Sequence, residues 1–216
     1  MIAGVAPRLM IISDTQRGAQ GPWFDELTRL LLGAQQGKVL VLLRDRQLPI
    51  RERLLLGERL RRVTQAHGQG LLVSDRLDLA ALLDADGVHL SEASVDVEDA
   101  RAFAAKIGKN WLISAACHTP EQLSRASADA LVLSPILAPR KGRPALGVDG
   151  LTRALEARQK RAAGLGPCWL YALGGVTRQH AAELLAAGAD GVALIGDLFV
   201  PGAAPALLAS LGIELE

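Results

Sequence analysis

Aromatic residues make up only 3% of the 216-residue chain. A core cannot be built here on stacked rings, so it must be filled by Leu, Val, Ile and Ala. Half of the residues are apolar, which is enough for a sizeable core. An excess of one charge is also missing. With 24 basic and 23 acidic residues the net charge is +1, which removes the electrostatic case for nucleic acid or an anionic membrane as partner. A local basic pocket for a small anion remains open. Cysteine is scarce: Cys117 and Cys168 stand far apart, with no CxxC motif and no disulfide framework. They read as buried free thiols in a reducing cytoplasm. No apolar run approaches the ~20 residues needed to span a membrane. The first stretch carries Arg8 inside its apolar part and lacks a signal-like layout. A soluble cytoplasmic protein is expected.

What is present is a rhythm. Short apolar runs recur, each followed by a segment of helical periodicity. The strand-like runs are Leu9–Ser13, Lys38–Arg44, Gly70–Ser74, Gly87–Leu90, Trp111–Ser114, Ala130–Ser134, Trp169–Leu173 and Gly191–Ile195. Helices are predicted over Pro22–Gln36, from Pro49 to about His67, and over the short run LDLAALLDA. Others span Val95–Ile107, start at Thr119 with TPEQ as a capping box, start near Asp149, and span Arg178–Ala187 and Ala204–Leu211. Continuous apolar strands are buried on both faces, as in a parallel sheet. Eight strand–helix pairs in one chain fit a (β/α)₈ TIM barrel, read as one domain over residues 1–216. A doubly wound open sheet is the rival; it usually has fewer strands, and no GxGxxG follows the first one here. The stretch LAPRKGRPALG, 137–147, is rich in Pro, Gly and charge and is a candidate mobile loop at the barrel mouth.

The stretch from Tyr171 to Gly196, YALGGVTRQHAAELLAAGADGVALIG, ends two consecutive strands in bare backbone. Active sites of such barrels lie at the C-terminal ends of the strands, and phosphate sites are often built after strands seven and eight. Gly174, Gly175 and Gly196 sit at those ends. Their N–H groups can meet a phosphate with no Cβ in the way, and a following helix N-terminus adds partial positive charge. Tight-turn glycine without a ligand is the plainer alternative.

With those glycines, the stretches VSDRLDLAALLDADGVHL, SAACHTPEQL and LSPILAPRKGRPALG make the sequence resemble the thiamine-phosphate synthase and thiazole tautomerase family. The resemblance covers nearly the whole chain and implies a (β/α)₈ barrel of thiamine biosynthesis. Synthases of this family join a pyrimidine methyl pyrophosphate to a thiazole phosphate, releasing pyrophosphate and using Mg²⁺. The tautomerases aromatise a thiazole phosphate precursor. Both hold the thiazole phosphate at the glycine site. The segments ISAACHTPEQL and ADALVLSPILAP and the ending GDLF look closest to divergent synthase-like domains fused behind Nudix hydrolases.

Carried over residue by residue, the resemblance is uneven. The family's Gln-x-Arg-x-Lys on strand two reads here Leu42-Leu43-Arg44-Asp45-Arg46, so Arg44 matches and Arg46 replaces the lysine. Its Asn-Asp-Arg after strand three becomes Ser74-Asp75-Arg76, which leaves Asp75 as a magnesium ligand and Ser74 in the pocket. After strand four Asp86, Gly87 and His89 match, while Ser94 stands where a second magnesium carboxylate belongs; Glu92 is the nearby substitute. Ala116 replaces a serine, His118 matches a histidine, and Lys141 survives in the loop after strand six. The resemblance thus implies Arg44, Arg46, His118 and Lys141 as catalytic groups. The substrates implied are a phosphorylated thiazole and a pyrimidine pyrophosphate, met by a monomer or homodimer. Three readings stay open: a synthase, a metal-independent tautomerase using His89 or His118, and a non-catalytic barrel binding a phosphorylated thiamine precursor.

Overall fold

In the computed structural model every strand lies parallel to its neighbours. The eighth pairs back onto the first, Leu9 beside Val192, so the sheet closes in the order β1 to β8. The structure describes residues 5–18, 23–125, 127–161, 165–196 and 200–214. The strands are β1 Leu9–Ile12, β2 Val39–Leu43, β3 Gly70–Ser74, β4 Gly87–Leu90, β5 Leu112–Cys117, β6 Ala130–Leu133, β7 Trp169–Leu173 and β8 Gly191–Leu194. The helices are α1 Thr15–Gly18, α2 Trp23–Gly33, α3 Ile50–Ala66, α4 Leu77–Leu82, α5 Val97–Lys106, α6 Pro120–Arg125, α7 Gly147–Gln159, α8 Arg178–Ala186 and α9 Ala203–Ser210. This is the (β/α)₈ barrel. Among the described residues no helix is long and apolar enough to cross a membrane.

The unbroken apolar strands follow from two cores. Along β1 and β2, Met10, Ile12, Leu40 and Leu42 point into the barrel, where they meet Leu72, Val132 and Tyr171. Leu9, Ile11, Val39, Val41 and Leu43 alternate with them and pack outward against the helices. A period of two with both faces buried leaves no polar position to mark the pleat.

Several elements are shorter than their sequence reading, and one strand is longer. β5 continues past Ser114 to Cys117, because β6 sits higher in the sheared barrel. Ala115, Ala116 and Cys117 are needed to pair with Leu131, Val132 and Leu133. The TPEQ signal does act as a helix start: the Gln122 side chain accepts hydrogen bonds from the backbone N–H groups of His118 and Thr119, at 2.7 and 3.2 Å.

The floor of the barrel is pinned by a repeated device. The Ala-Asp pairs at 85–86, 128–129 and 189–190 each precede an even-numbered strand. Asp86, Asp129 and Asp190 accept the backbone N–H groups of Leu71, Ile113 and Leu170 from the strand before, at 2.8, 2.8 and 2.7 Å. Each carboxylate also pairs with an arginine from the helix that leads into that earlier strand: Arg61 of α3, Arg101 of α5 and Arg158 of α7 respectively. The bottom face of such barrels serves stability rather than chemistry. Asp190→Ala strands one backbone donor and one guanidinium, so unfolding stability should fall by about 2 kcal/mol in urea titration. Asp86→Ala shares no partner with it, so the double variant should lose close to the sum. A loss within experimental scatter would contradict this account of the floor.

Candidate active site at the mouth of the barrel

The C-terminal ends of the strands surround an open cavity of about 930 Å³. Ser74, His89, Glu92, His118, Arg44, Arg46 and Lys141 line it together with Gly174, Gly175 and Gly196. The sequence-based candidates therefore converge on one place, with one exception: Asp75 is not part of the wall.

Strand alternation sorts the charges after β2. Arg44 and Arg46 face the cavity, while Asp45 between them is fully buried on the other side. Asp45 accepts the Ser13 hydroxyl, the backbone N–H and hydroxyl of Thr15 at 2.6 and 2.7 Å, and the Gln47 amide at 3.1 Å. Burial alone would raise its pKa; these donors outweigh burial and hold it below the ordinary carboxylate value. Ser13 in turn accepts the Arg44 N–H at 3.0 Å, and the Arg44 guanidinium pairs with Asp14 at 2.7 Å. Beneath them Arg53 of α3 is buried and donates to the carbonyls of Leu43 and Ser74, at 3.4 and 2.8 Å. It ties the ends of β2 and β3 together. Its sequence signal was an arginine on the helix face that also carries the buried Leu56 and Leu60.

After β3, Asp75 adopts a positive φ of 63° and turns back onto protein groups. Oδ1 accepts the Ser91 N–H at 2.8 Å. Oδ2 takes the Ser74 hydroxyl at 3.0 Å and the Arg46 guanidinium at 2.5 Å. Desolvation pushes its pKa up, but the Ser91 and Ser74 hydrogen bonds and the Arg46 charge pull it lower overall.

A polar stripe of Ser74, His89 and Ser114 crosses the otherwise apolar interior on paired positions of β3, β4 and β5. His89 Nδ1 lies 3.0 Å from the Ser114 hydroxyl. Removal from water, with the Arg46 charge adding to it and Asp75 opposing, lowers its pKa from 6.5 to about 4. His89 is therefore a neutral imidazole at the pH of most assays. The unfolded chain binds that proton more readily, so stability should be lost as pH falls from about 6.5 towards 4. The His89 ring proton in NMR should not shift above pH 5; a midpoint near 6.5 would place the ring in water.

His118 is held differently. Its Nδ1 donates to the Ser134 carbonyl at 2.7 Å, which leaves Nε2 towards Glu92 at 3.8 Å. Within the loop expected to be mobile, residues 140–143 form a two-residue turn. Arg140 and Arg143 exchange backbone hydrogen bonds of 3.0 Å in both directions, with Lys141 and Gly142 at φ 51° and 74°, the signature of a tight hairpin turn. Arg143 reaches across the mouth and grips both Glu92 oxygens at 3.0 and 2.9 Å, holding that carboxyl below its usual pKa. Arg140 and Arg143 also line the cavity; within the sequence they looked like plain loop charge.

The glycines after β7 have a second reason to be bare. A Cβ on Gly174 would stand 2.9 Å from Pro135 Cα, and one on Gly175 would stand 2.8 Å from the Ala138 nitrogen. Both residues have positive φ, 104° and 72°. The Gly174 carbonyl accepts from Leu137 and Ala138 at 2.8 and 3.3 Å. The close approach of the loop after β6 is thus a structural reason for bare backbone here, beside the phosphate reading and the tight-turn one. Val176 and Thr177 continue the wall into the first turn of α8, so one helix N-terminus does open here. The helix end after β8 is different. The N-terminal amides of α9, at Gly202 and Ala204, face the buried carboxylate of Glu26 and lower its pKa. Residues 197–199, directly after Gly196, lie outside the described residues.

Magnesium calls for hard oxygen donors, usually one or two protein carboxylates beside substrate phosphates. The donors at this mouth fit that poorly. Asp75 has both oxygens engaged and stands behind Arg46, Glu92 is chelated by Arg143, and position 94 is a serine. Among the described residues no three His, Cys, Asp or Glu side chains cluster to hold a metal.

The family model for thiamine monophosphate synthase matches residues 9–198. A thiamine-phosphate synthase of Methanoculleus marisnigri is 35% identical over 206 residues, covering 94% of this chain and 92% of that protein. One from Gloeobacter violaceus is 33% identical over 164 residues, or 74% of this chain; the match spans 45% of the longer relative. Among solved structures, the thiamine phosphate pyrophosphorylase of Pyrococcus furiosus superimposes with a TM-score of 0.77 at 25% identity, covering 95% of this chain and 96% of that one. The chain belongs to the thiamine monophosphate synthase family.

Proposed function

We propose that the chain joins a pyrimidine methyl pyrophosphate to a thiazole phosphate and releases pyrophosphate. The observation that carries this reading is one cavity with two regions whose chemistry suits anions. Gly174, Gly175 and the start of α8 form one; Arg44, Arg46, Arg140, Lys141 and Arg143 supply the other. In the reaction the bond from the methylene carbon to the pyrophosphate oxygen breaks, and the electron pair leaves with the pyrophosphate. The thiazole nitrogen lone pair then bonds to the resulting carbocation. No proton is transferred, so the task is positioning and charge neutralisation. A neutral His89 and cations aimed at the leaving group suit it.

A second reading, tautomerisation of a thiazole phosphate, is favoured by His118. Its Nδ1–H is fixed on the Ser134 carbonyl and Nε2 is left as a base on the cavity wall. The likeness of the stretches ISAACHTPEQL and ADALVLSPILAP to the divergent synthase-like domains fused behind Nudix hydrolases supports a kinship with that subgroup. Incubation with both substrates should give thiamine phosphate and pyrophosphate in equal amounts, read by chromatography and a pyrophosphate assay. Isomerisation of the thiazole phosphate without coupling would favour the second reading. No turnover of either substrate would reject both.

A further inference from the structure

The disagreement between this mouth and a magnesium site has a direction. Where a metal-binding carboxylate would face the substrate, the wall carries a guanidinium: Arg46 lines the cavity and Asp75 does not. Arg46 is braced from behind. Asp75 pairs with it at 2.5 Å, and the Ser74 hydroxyl accepts from its Nη2 at 2.8 Å and its Nε at 3.3 Å. Asp75 is itself fixed by the Ser91 N–H. A divalent ion bound to Asp75 would have to displace this pair. Among the described residues the only acid on the wall is Glu92, and Arg143 chelates it. A guanidinium keeps its charge at every working pH and offers a planar set of N–H donors matched to phosphate oxygens.

Resting on the pyrophosphate-releasing reaction above, we propose that Arg46, braced by Asp75 and Ser74, supplies the charge that a divalent cation would otherwise bring. Pyrophosphate is then bound and released by this chain without magnesium. Magnesium competes with Arg46 for the same pyrophosphate oxygens and for Asp75, so added metal weakens binding slightly rather than creating it.

The test is calorimetric titration of the purified protein with inorganic pyrophosphate, once in EDTA and once in excess magnesium chloride. The expected result is an affinity in EDTA within about threefold of that in magnesium. Arg46→Met, at a side chain nearly half exposed, should fold normally. It should lose about 100-fold in EDTA and regain part of that with magnesium, because Asp75 is then free. A wild-type affinity that collapses tenfold or more in EDTA overturns the metal-free reading alone. Unchanged affinity in Arg46→Met overturns the role of Arg46. No binding of pyrophosphate in either buffer overturns the synthase reading along with it.

Discussion

Gly87→Ala is expected to stop the barrel from closing. A Cβ built on Gly87 would lie 2.0 Å from the Leu112 carbonyl oxygen, and 2.8 and 2.9 Å from the carbonyl carbon and the nitrogen of the same residue. All three are backbone atoms of the neighbouring strand. Gly87 pairs with Leu72 on one side and Leu112 on the other, so neither strand can swing away from it. A closed sheet has no free edge to absorb the shift. Overpacking that cannot be relieved by a rotamer belongs among the largest single-residue effects, here more than about 4 kcal/mol. That is a large share of the ~5–15 kcal/mol that holds a domain folded. Circular dichroism melts should show a fall in Tm of about 10 °C or more, or no soluble protein. A melting point near that of the parent would mean β4 and β5 pair less tightly than this. The second such position is Gly191, where a Cβ would meet the Tyr171 ring at 2.6 Å and the Arg8 carbonyl at 2.8 Å. At the third repeat the same place is held by Ala130, so that strand start has room for a methyl group.

The Asp-Gly steps at 86–87 and 190–191 show where sequence reading stops. Composition and periodicity were enough for the barrel, because eight doubly buried strands leave an unmistakable run of apolar residues. They could not show that β5 must extend to Cys117, since that length is set by the height of β6 and not by any residue in β5. The site divides in the same way. Arg44, Arg46, His89 and His118 were legible through the family resemblance, whose motifs fall at strand ends that open on the mouth. Their partners were not. Asp45 drew no reading of its own between two arginines, yet it is the fully buried anchor of the first two strand ends. Glu92 was a substitute metal ligand on paper, whereas Arg143, 51 residues away, takes both its oxygens. Pairings across that separation carry no local signal. The glycine pair after β7 was read as a phosphate cradle or a tight turn, and neither reading showed that the loop after β6 packs against it.

Arg44→Ala should separate chemistry from stability more sharply than any other change at this mouth. The backbone of residue 44 is held through its N–H on the Ser13 hydroxyl, a bond that alanine keeps. Its guanidinium spends Nη2 on Asp14 at 2.7 Å, and the side chain is 28% exposed. Partly exposed pairs of this kind contribute little, so the melting point should move by no more than the equivalent of about 1 kcal/mol. The remaining N–H donors of the guanidinium are available to an anion. If they meet charge that grows on the departing pyrophosphate, their loss acts on the transition state more than on the bound substrate. Removing one such donor group elsewhere typically lowers the rate about 100- to 1000-fold, or roughly 3–4 kcal/mol of barrier. Arg44→Lys keeps the charge but loses the flat fork, so it should fall between the two. The measurement is kcat/KM for thiamine phosphate formation beside Tm for each variant. A kcat/KM within tenfold of the parent for Arg44→Ala would move the leaving group away from β2, towards the hairpin that carries Arg140, Lys141 and Arg143. An intact rate with a lowered Tm would make Arg44 a brace for Asp14 and the first strand end.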